Sequence, residues 1–224
     1  RWADLACVQF ESAAEVLAGK TDVEVTGSPI APQVPAEAAF AGRLDPALAT
    51  VGMFGGSQGA RALNDALLAL TDEPDAPRFN LVWQTGRSDH ARVAAARAWP
   101  REVVIEPFYP SMAAVYPLLD LIVCRAGAMT LAEIAAWGIP SILVPYPHAT
   151  DDHQTMNARA LEQRGAAIVL PESELSPRRL LNLITGFLSD PERRARMAAA
   201  ARAAARPDAA RVIADRVFAL AEAA

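Results

Sequence analysis

From residue 48 to residue 169 six short apolar runs alternate with longer stretches of helical periodicity, and that alternation leaves the chain few architectures. The runs cover residues 49–54, 80–84, 103–105, 119–124, 141–144 and 166–169, with helical patterns between them extending to Leu70, Ala98, Tyr116, Trp137 and Gln163. A strand that is apolar along its whole length has no face to offer water, so helices must cover it on both sides. Strand, helix and strand in succession give a parallel sheet joined by right-handed crossovers. The expected fold class is α/β, a Rossmann-like parallel sheet with helices on both faces.

Two of the strand-to-helix junctions are glycine turns. Gly55-Gly56-Ser57-Gln58-Gly59-Ala60-Arg61 follows the first run, and Arg125-Ala126-Gly127-Ala128-Met129-Thr130 follows the fourth. Glycine lets the backbone turn sharply and bring N–H groups close to an anion, while the next helix adds the positive end of its dipole. The first turn lacks both the Gly-Lys-Ser/Thr ending of a P-loop and the glycine spacing of a dinucleotide fingerprint, so it points to phosphate without naming the ligand. Two such turns in one sheet can face each other across the carboxyl ends of their strands. Glu133, placed in the first turn or so of the second helix, has two readings. It is a charge favourable near a positive helix end, or a carboxylate that accepts ribose hydroxyls. A third polar cluster, residues 148–157, follows the run 141–144 and suits neutral hydroxyls. Helical spacing puts His153 and Asn157 on one face, which is not a His/His/carboxylate metal set, so no metal is expected.

A hydrophobic fraction of 52% against 21% charged residues predicts a well-buried core. The net charge of −5, with no basic stripe interleaved with aromatics, argues against a nucleic-acid partner. Cys7 and Cys124 are too far apart in sequence and too few for a zinc motif or a disulfide framework, which fits a reducing cytoplasm. No apolar stretch reaches the roughly 18 residues that span a bilayer. The chain opens on Arg1 and enters a strand at once, which reads as a truncated chain. Prolines at 29, 32 and 35 mark a linker, giving an expected division into residues 1–35, 36–206 and 207–224. Ser176-Pro177 and Asp190-Pro191 read as helix starts, and the arginines of residues 193–206 as a solvated helical face.

Taken in order, the two glycine turns, Cys124 before Arg125, Glu133, and Asp152-His153-Gln154 with Asn157 resemble the C-terminal, donor-binding half of the bacterial family 28 glycosyltransferases of GT-B fold. That resemblance implies transfer of N-acetylglucosamine from UDP-N-acetylglucosamine to lipid I, making lipid II for peptidoglycan, without a cofactor. It implies that Gly56, Ser57 and Gln58 meet the diphosphate together with Ala128, Met129 and Thr130. Phe108, Tyr109 and Met112 would lie at the uracil, Glu133 at the ribose and Gln154 at the sugar hydroxyls. Arg125 matches a motif arginine, and His153 neighbours the sugar residue. The first 35 residues would be the remnant of an acceptor domain, with the catalytic base and the peripheral contact with the cytoplasmic face of the inner membrane lying outside this chain. Ala31 stands where the family pattern has a basic residue. The alternatives are a noncatalytic UDP-sugar module that needs a partner chain, another UDP-sugar transferase, or a UDP-N-acetylglucosamine epimerase.

Overall fold

The structure, a computed structural model, describes residues 3–31, 34–56, 59–71 and 78–222. First come β1 (Leu5–Val8), α1 (Glu11–Leu17) and β2 (Asp22–Val25), whose strands pair in parallel as a small separate sheet. The main body follows as β3 (Thr50–Phe54), α2 (Arg61–Leu70), β4 (Asn80–Gln84), α3 (His90–Ala94), β5 (Val103–Glu106), β6 (Leu121–Cys124), α4 (Ala128–Trp137), β7 (Ser141–Leu143), α5 (His153–Gln163) and β8 (Ala167–Val169). Three helices come after it: α6 (Pro177–Leu188), α7 (Pro191–Ala204) and α8 (Ala209–Glu222). The six later strands form one parallel sheet in the order β5-β4-β3-β6-β7-β8. The order reverses between β3 and β6, and at such a switch point the connections diverge and leave a crevice at the carboxyl ends.

Side chains of successive strand residues point to opposite faces, and both faces are covered. Val51, Met53, Leu81, Trp83, Leu121 and Val123 pack with Leu63 and Leu67 of α2 and with Ile184 and Phe187 of α6. Phe54, Val82, Ile122, Cys124 and Leu143 pack on the other side with Leu131 and Ile134 of α4 and with Ala158 and Leu161 of α5. Each fully buried Val, Leu, Ile, Phe or Met among them contributes about 1.5–3 kcal/mol. Ser176 accepts from the Arg179 N–H at 3.2 Å and Asp190 from the Arg193 N–H at 2.8 Å, capping α6 and α7.

Two helical expectations are corrected. The pattern predicted to reach Ala98 ends at Ala94, because Trp99 folds back, donates its indole N–H to the Val93 carbonyl at 3.1 Å and packs edge-on against Trp83. The pattern predicted to reach Tyr116 is instead two 3-10 turns, Met112–Ala114 and Tyr116–Leu118. Pro110 and Pro117 remove donors that a regular helix would need there. The arginines of α7 also do more than face water: Arg194 donates to the Leu188 carbonyl, and the stem of Arg202 fills the space beside Gly138. Ion pairs link this first β1-α1-β2 unit to the rest: Arg164 with Glu11 of α1, at 2.9 Å, and Arg216 with Glu24 of β2, at 2.5 Å.

Candidate functional site

A cleft of 970 Å³ opens at the carboxyl ends of β3, β4 and β6, and both glycine turns lie on its wall. In the first turn Gly56 adopts φ +82°, and a Cβ on Gly55 would stand 2.4 Å from the Ala60 nitrogen. Gly59, at φ +80°, passes so close to the loop after β4 that a Cβ there would lie 2.5 Å from the Thr85 carbonyl oxygen. Ser57 and Gln58, both expected at the diphosphate, lie outside the described residues. No described side chain caps α2, whose first residues Arg61 and Ala62 line the cleft.

A buried polar network supports this turn from behind. Asn64 donates to the Thr85 carbonyl at 2.9 Å and to Asp89 at 2.7 Å, and accepts from the Trp83 indole at 2.9 Å. Arg92 grips both Asp89 oxygens, at 2.6 and 2.7 Å, and holds that carboxyl below its ordinary pKa; the Asn64 amide adds to the effect. The Thr85 carbonyl is therefore fixed by Asn64 on one side and packed against Gly59 on the other.

The second turn leads from β6 into α4, whose first turn is Ala128, Met129 and Thr130. Gly127 occupies the N-cap position, and no described side chain caps the helix. Thr130 lines the cleft, while Met129 is half exposed at the same helix end. Arg125 also lines the cleft, yet its guanidinium is committed to protein: it pairs with Glu172, donates to the Val144 and Pro145 carbonyls at 3.2 Å and stacks on Tyr146. These contacts anchor the loop after β7. Gln154 reaches the cleft from α5, and its Oε1 accepts from the backbone N–H of Ala126, at 3.2 Å, and of Tyr146, at 3.0 Å. That oxygen is engaged by two loops, which leaves the amide's NH₂ as the group it offers elsewhere.

His153 and Asn157 are not on the cleft wall. Asn157 is buried and donates to the Ala126 carbonyl at 3.5 Å, bracing the second turn, and the His153 ring meets the Thr150 carbonyl at 2.7 Å. Just before α5, Asp151 and Asp152 adopt φ of +51° and +52°, a pair of non-glycine residues in the left-handed region at the entry to the cluster read as sugar-facing.

Glu133 stands in the second turn of α4, one turn further in than its sequence position suggested, and faces the cleft. The Tyr116 hydroxyl donates to its Oε2 at 2.7 Å. On the far side are Phe108, Tyr109 and Met112, all on the wall. Phe108 is exposed with the Arg87 guanidinium over its ring, while Tyr109 is buried against Phe40 and Phe54 and donates its backbone N–H to the Gln84 side chain at 3.4 Å. Sequence reasoning missed Tyr116, Gln84, Tyr146 and Glu172. Each acts across at least eight residues of chain, and no periodicity records such contacts. Among the described residues no group of three or more His, Cys, Asp or Glu side chains is arranged to hold a metal ion, and no helix is long and apolar enough to cross a membrane.

A parallel six-stranded sheet with its cleft at the switch point and helices on both faces matches a Rossmann-like fold of the GT-B type. The structure of MurG from Acinetobacter baumannii superposes with a TM-score of 0.74 at 32% identity, over 96% of this chain and 61% of that one. A putative UDP-N-acetylglucosamine 2-epimerase from Listeria monocytogenes shares the fold at a TM-score of 0.69 and 16% identity. Residues 50–213 match the glycosyltransferase family 28 C-terminal domain, and the chain belongs to that family. It is 39% identical over 218 residues to the UDP-N-acetylglucosamine--N-acetylmuramyl-(pentapeptide) pyrophosphoryl-undecaprenol N-acetylglucosamine transferase of Chlorobium phaeobacteroides, covering 96% of this chain and 60% of that protein. The protein of the same name from Syntrophotalea carbinolica is 44% identical over 206 residues, covering 90% of this chain and 56% of its own length. The chain thus spans 56–60% of these two relatives.

Proposed function

We propose that this chain is the donor-binding half of an inverting transferase that moves N-acetylglucosamine from UDP-N-acetylglucosamine to the lipid-linked muramoyl-pentapeptide, lipid I, giving lipid II at the cytoplasmic face of the bacterial membrane. Residues 36–206 are the UDP-sugar domain in this reading, with residues 1–35 belonging to the acceptor side and 207–224 a C-terminal helix. The observation that carries it is the convergence on one cleft of the Glu133 carboxylate and two helix starts that no described side chain caps.

The acceptor hydroxyl attacks the anomeric carbon, the bond to UDP breaks, and negative charge grows on the departing diphosphate. N–H groups at Gly56, Ala128, Met129 and Thr130 stabilise that charge without reorganising, aided by the helix dipoles, and the family pattern assigns Ser57 and Gln58 to the same diphosphate. Glu133 accepts the ribose hydroxyls, and Phe108, Tyr109 and Met112 border the uracil. Gln154 donates through its NH₂ to sugar oxygens. Arg125, His153 and Asn157 act by holding the loops around the donor rather than by touching the diphosphate. These groups position the reactants; the base that takes the acceptor proton is assigned to the acceptor side, outside this chain.

Calorimetric titration of the chain with UDP tests the reading. Glu133→Ala is expected to weaken UDP binding by about 1.5–3 kcal/mol, the worth of a hydrogen bond to a charged group. Unchanged UDP affinity in that variant, or no UDP binding to the parent chain, would refute it.

A further inference from the structure

Tyr116 was singled out by no motif, yet it is the described residue that touches the Glu133 carboxylate. It is 4% exposed and lies on the cleft wall in the 3-10 turn Tyr116–Leu118. Its ring packs on Trp137, with centroids 6.2 Å apart, and Trp137 is one turn along α4 from Glu133. Ring and hydroxyl are thus both registered against one face of the helix that carries the carboxylate. Burial, reinforced by the neighbouring Glu133 charge, pushes the phenol well above its ordinary pKa, so the hydroxyl keeps its proton and remains a donor.

We infer that Tyr116 is a positioning residue for recognition of a ribose diol: by holding Oε2 it fixes the Glu133 carboxylate so that Oε1 and the remaining lone pair of Oε2 meet the two vicinal hydroxyls of a nucleoside diphosphate. The inference rests on the reading of Glu133 given above. An ionised carboxylate has about four lone-pair sites, and one is occupied here before any ligand arrives. A glutamate left unbonded samples several rotamers, and a ligand must then order it. The same peptide segment, residues 107–118, carries Phe108, Tyr109 and Met112, so the wall assigned to the base and the group that aims the ribose contact belong to one stretch of chain.

The test compares UDP with 2′-deoxy-UDP by calorimetry on the parent chain, Tyr116→Phe and Glu133→Gln, with melting temperatures recorded for each. Tyr116→Phe retains the ring on Trp137 and removes only the hydroxyl. It is expected to lower UDP affinity roughly two- to thirteenfold, the scale of one modest hydrogen bond, and 2′-deoxy-UDP affinity less, so that the preference for the ribose form shrinks. A merely structural role would lower the melting temperature and leave the ratio of the two affinities where it was, and that result overturns the proposal. If the parent chain binds both ligands equally and Glu133→Gln keeps full UDP affinity, the ribose role of Glu133 itself is wrong and the inference falls with it. A ratio that changes in Glu133→Gln but not in Tyr116→Phe overturns the inference alone.

Discussion

Gly59→Ala probes the first glycine turn in two separable ways. Residue 59 sits at φ +80°, a left-handed conformation that costs an L side chain about 1–2 kcal/mol. The added Cβ would also stand 2.5 Å from the Thr85 oxygen, where 3.4 Å is the start of ordinary contact, so the carbonyl must give way by nearly an ångström. It cannot do so cheaply: Asn64 holds that oxygen at 2.9 Å, and the Thr85 N–H donates to the Glu106 carbonyl at 3.0 Å. Disturbing the buried bond to Asn64 adds about 1–3 kcal/mol. Reduced freedom of the unfolded chain returns about 0.4–1 kcal/mol, leaving a net loss of about 1–5 kcal/mol. Gly165→Ala is the control, since Gly165 has φ +71° and a methyl group there would meet nothing within 4 Å. Urea titration of both variants, with the slope checked for constancy, isolates the contact contribution. Equal losses in the two variants would refute the claim that Thr85 walls in the turn.

Other outcomes follow from the same geometry. Asp89 has its pKa lowered from 3.8, first by Arg92, so its contribution to stability is present above pH 3.8 and is lost as pH falls through the depressed value; acid unfolding of Asp89→Asn, followed by circular dichroism, should show a shallower decline below about pH 4. Burial pushes the Cys124 thiol up to about 12 while Cys7 is exposed, so a thiol reagent at pH 8 should label one cysteine in the native chain and two after denaturation, as counted by mass spectrometry. Gln154→Glu keeps an oxygen for the Ala126 and Tyr146 N–H groups but replaces the donor with an acceptor. It should leave the melting temperature nearly unchanged and weaken UDP-N-acetylglucosamine about tenfold or more relative to UDP, the scale of one lost hydrogen bond; equal weakening of both ligands would argue against a sugar contact.

The sheet is legible in the sequence because its strands are buried on both faces: the run at residues 80–84 predicts a strand, and β4 occupies those residues. The caps at Ser176 and Asp190 were readable because a capping side chain acts over three residues. The glycine turns were readable as turns, yet the closeness of Gly59 to Thr85 was not, since it joins loops from two different strands. The same holds for Arg125, whose motif position suggested a ligand while its guanidinium is held by Glu172 and the β7 loop. Tyr116 escaped notice because a lone tyrosine beside proline carries no spacing signal; only the fold brings it to Glu133. The helix expected to reach Tyr116 fails for a local reason that the sequence contains, since Pro110 and Pro117 remove donors that a regular helix needs.

β3 and β6 are hydrogen-bonded neighbours with Phe54 opposite Cys124, so the two turns leave the sheet one strand spacing apart, about 4.8 Å. A ligand with two linked anionic groups meets such a pair as a chelate, because seating the first group delivers the second at high effective concentration. The gap is set by main-chain pairing and not by the reach of any side chain, so it acts as a ruler that rotamer changes cannot reset. A slip of β6 by a single residue, about 3.3 Å, would carry the second turn away from the first and send the β6 side chains to the other face, without altering one residue of either motif.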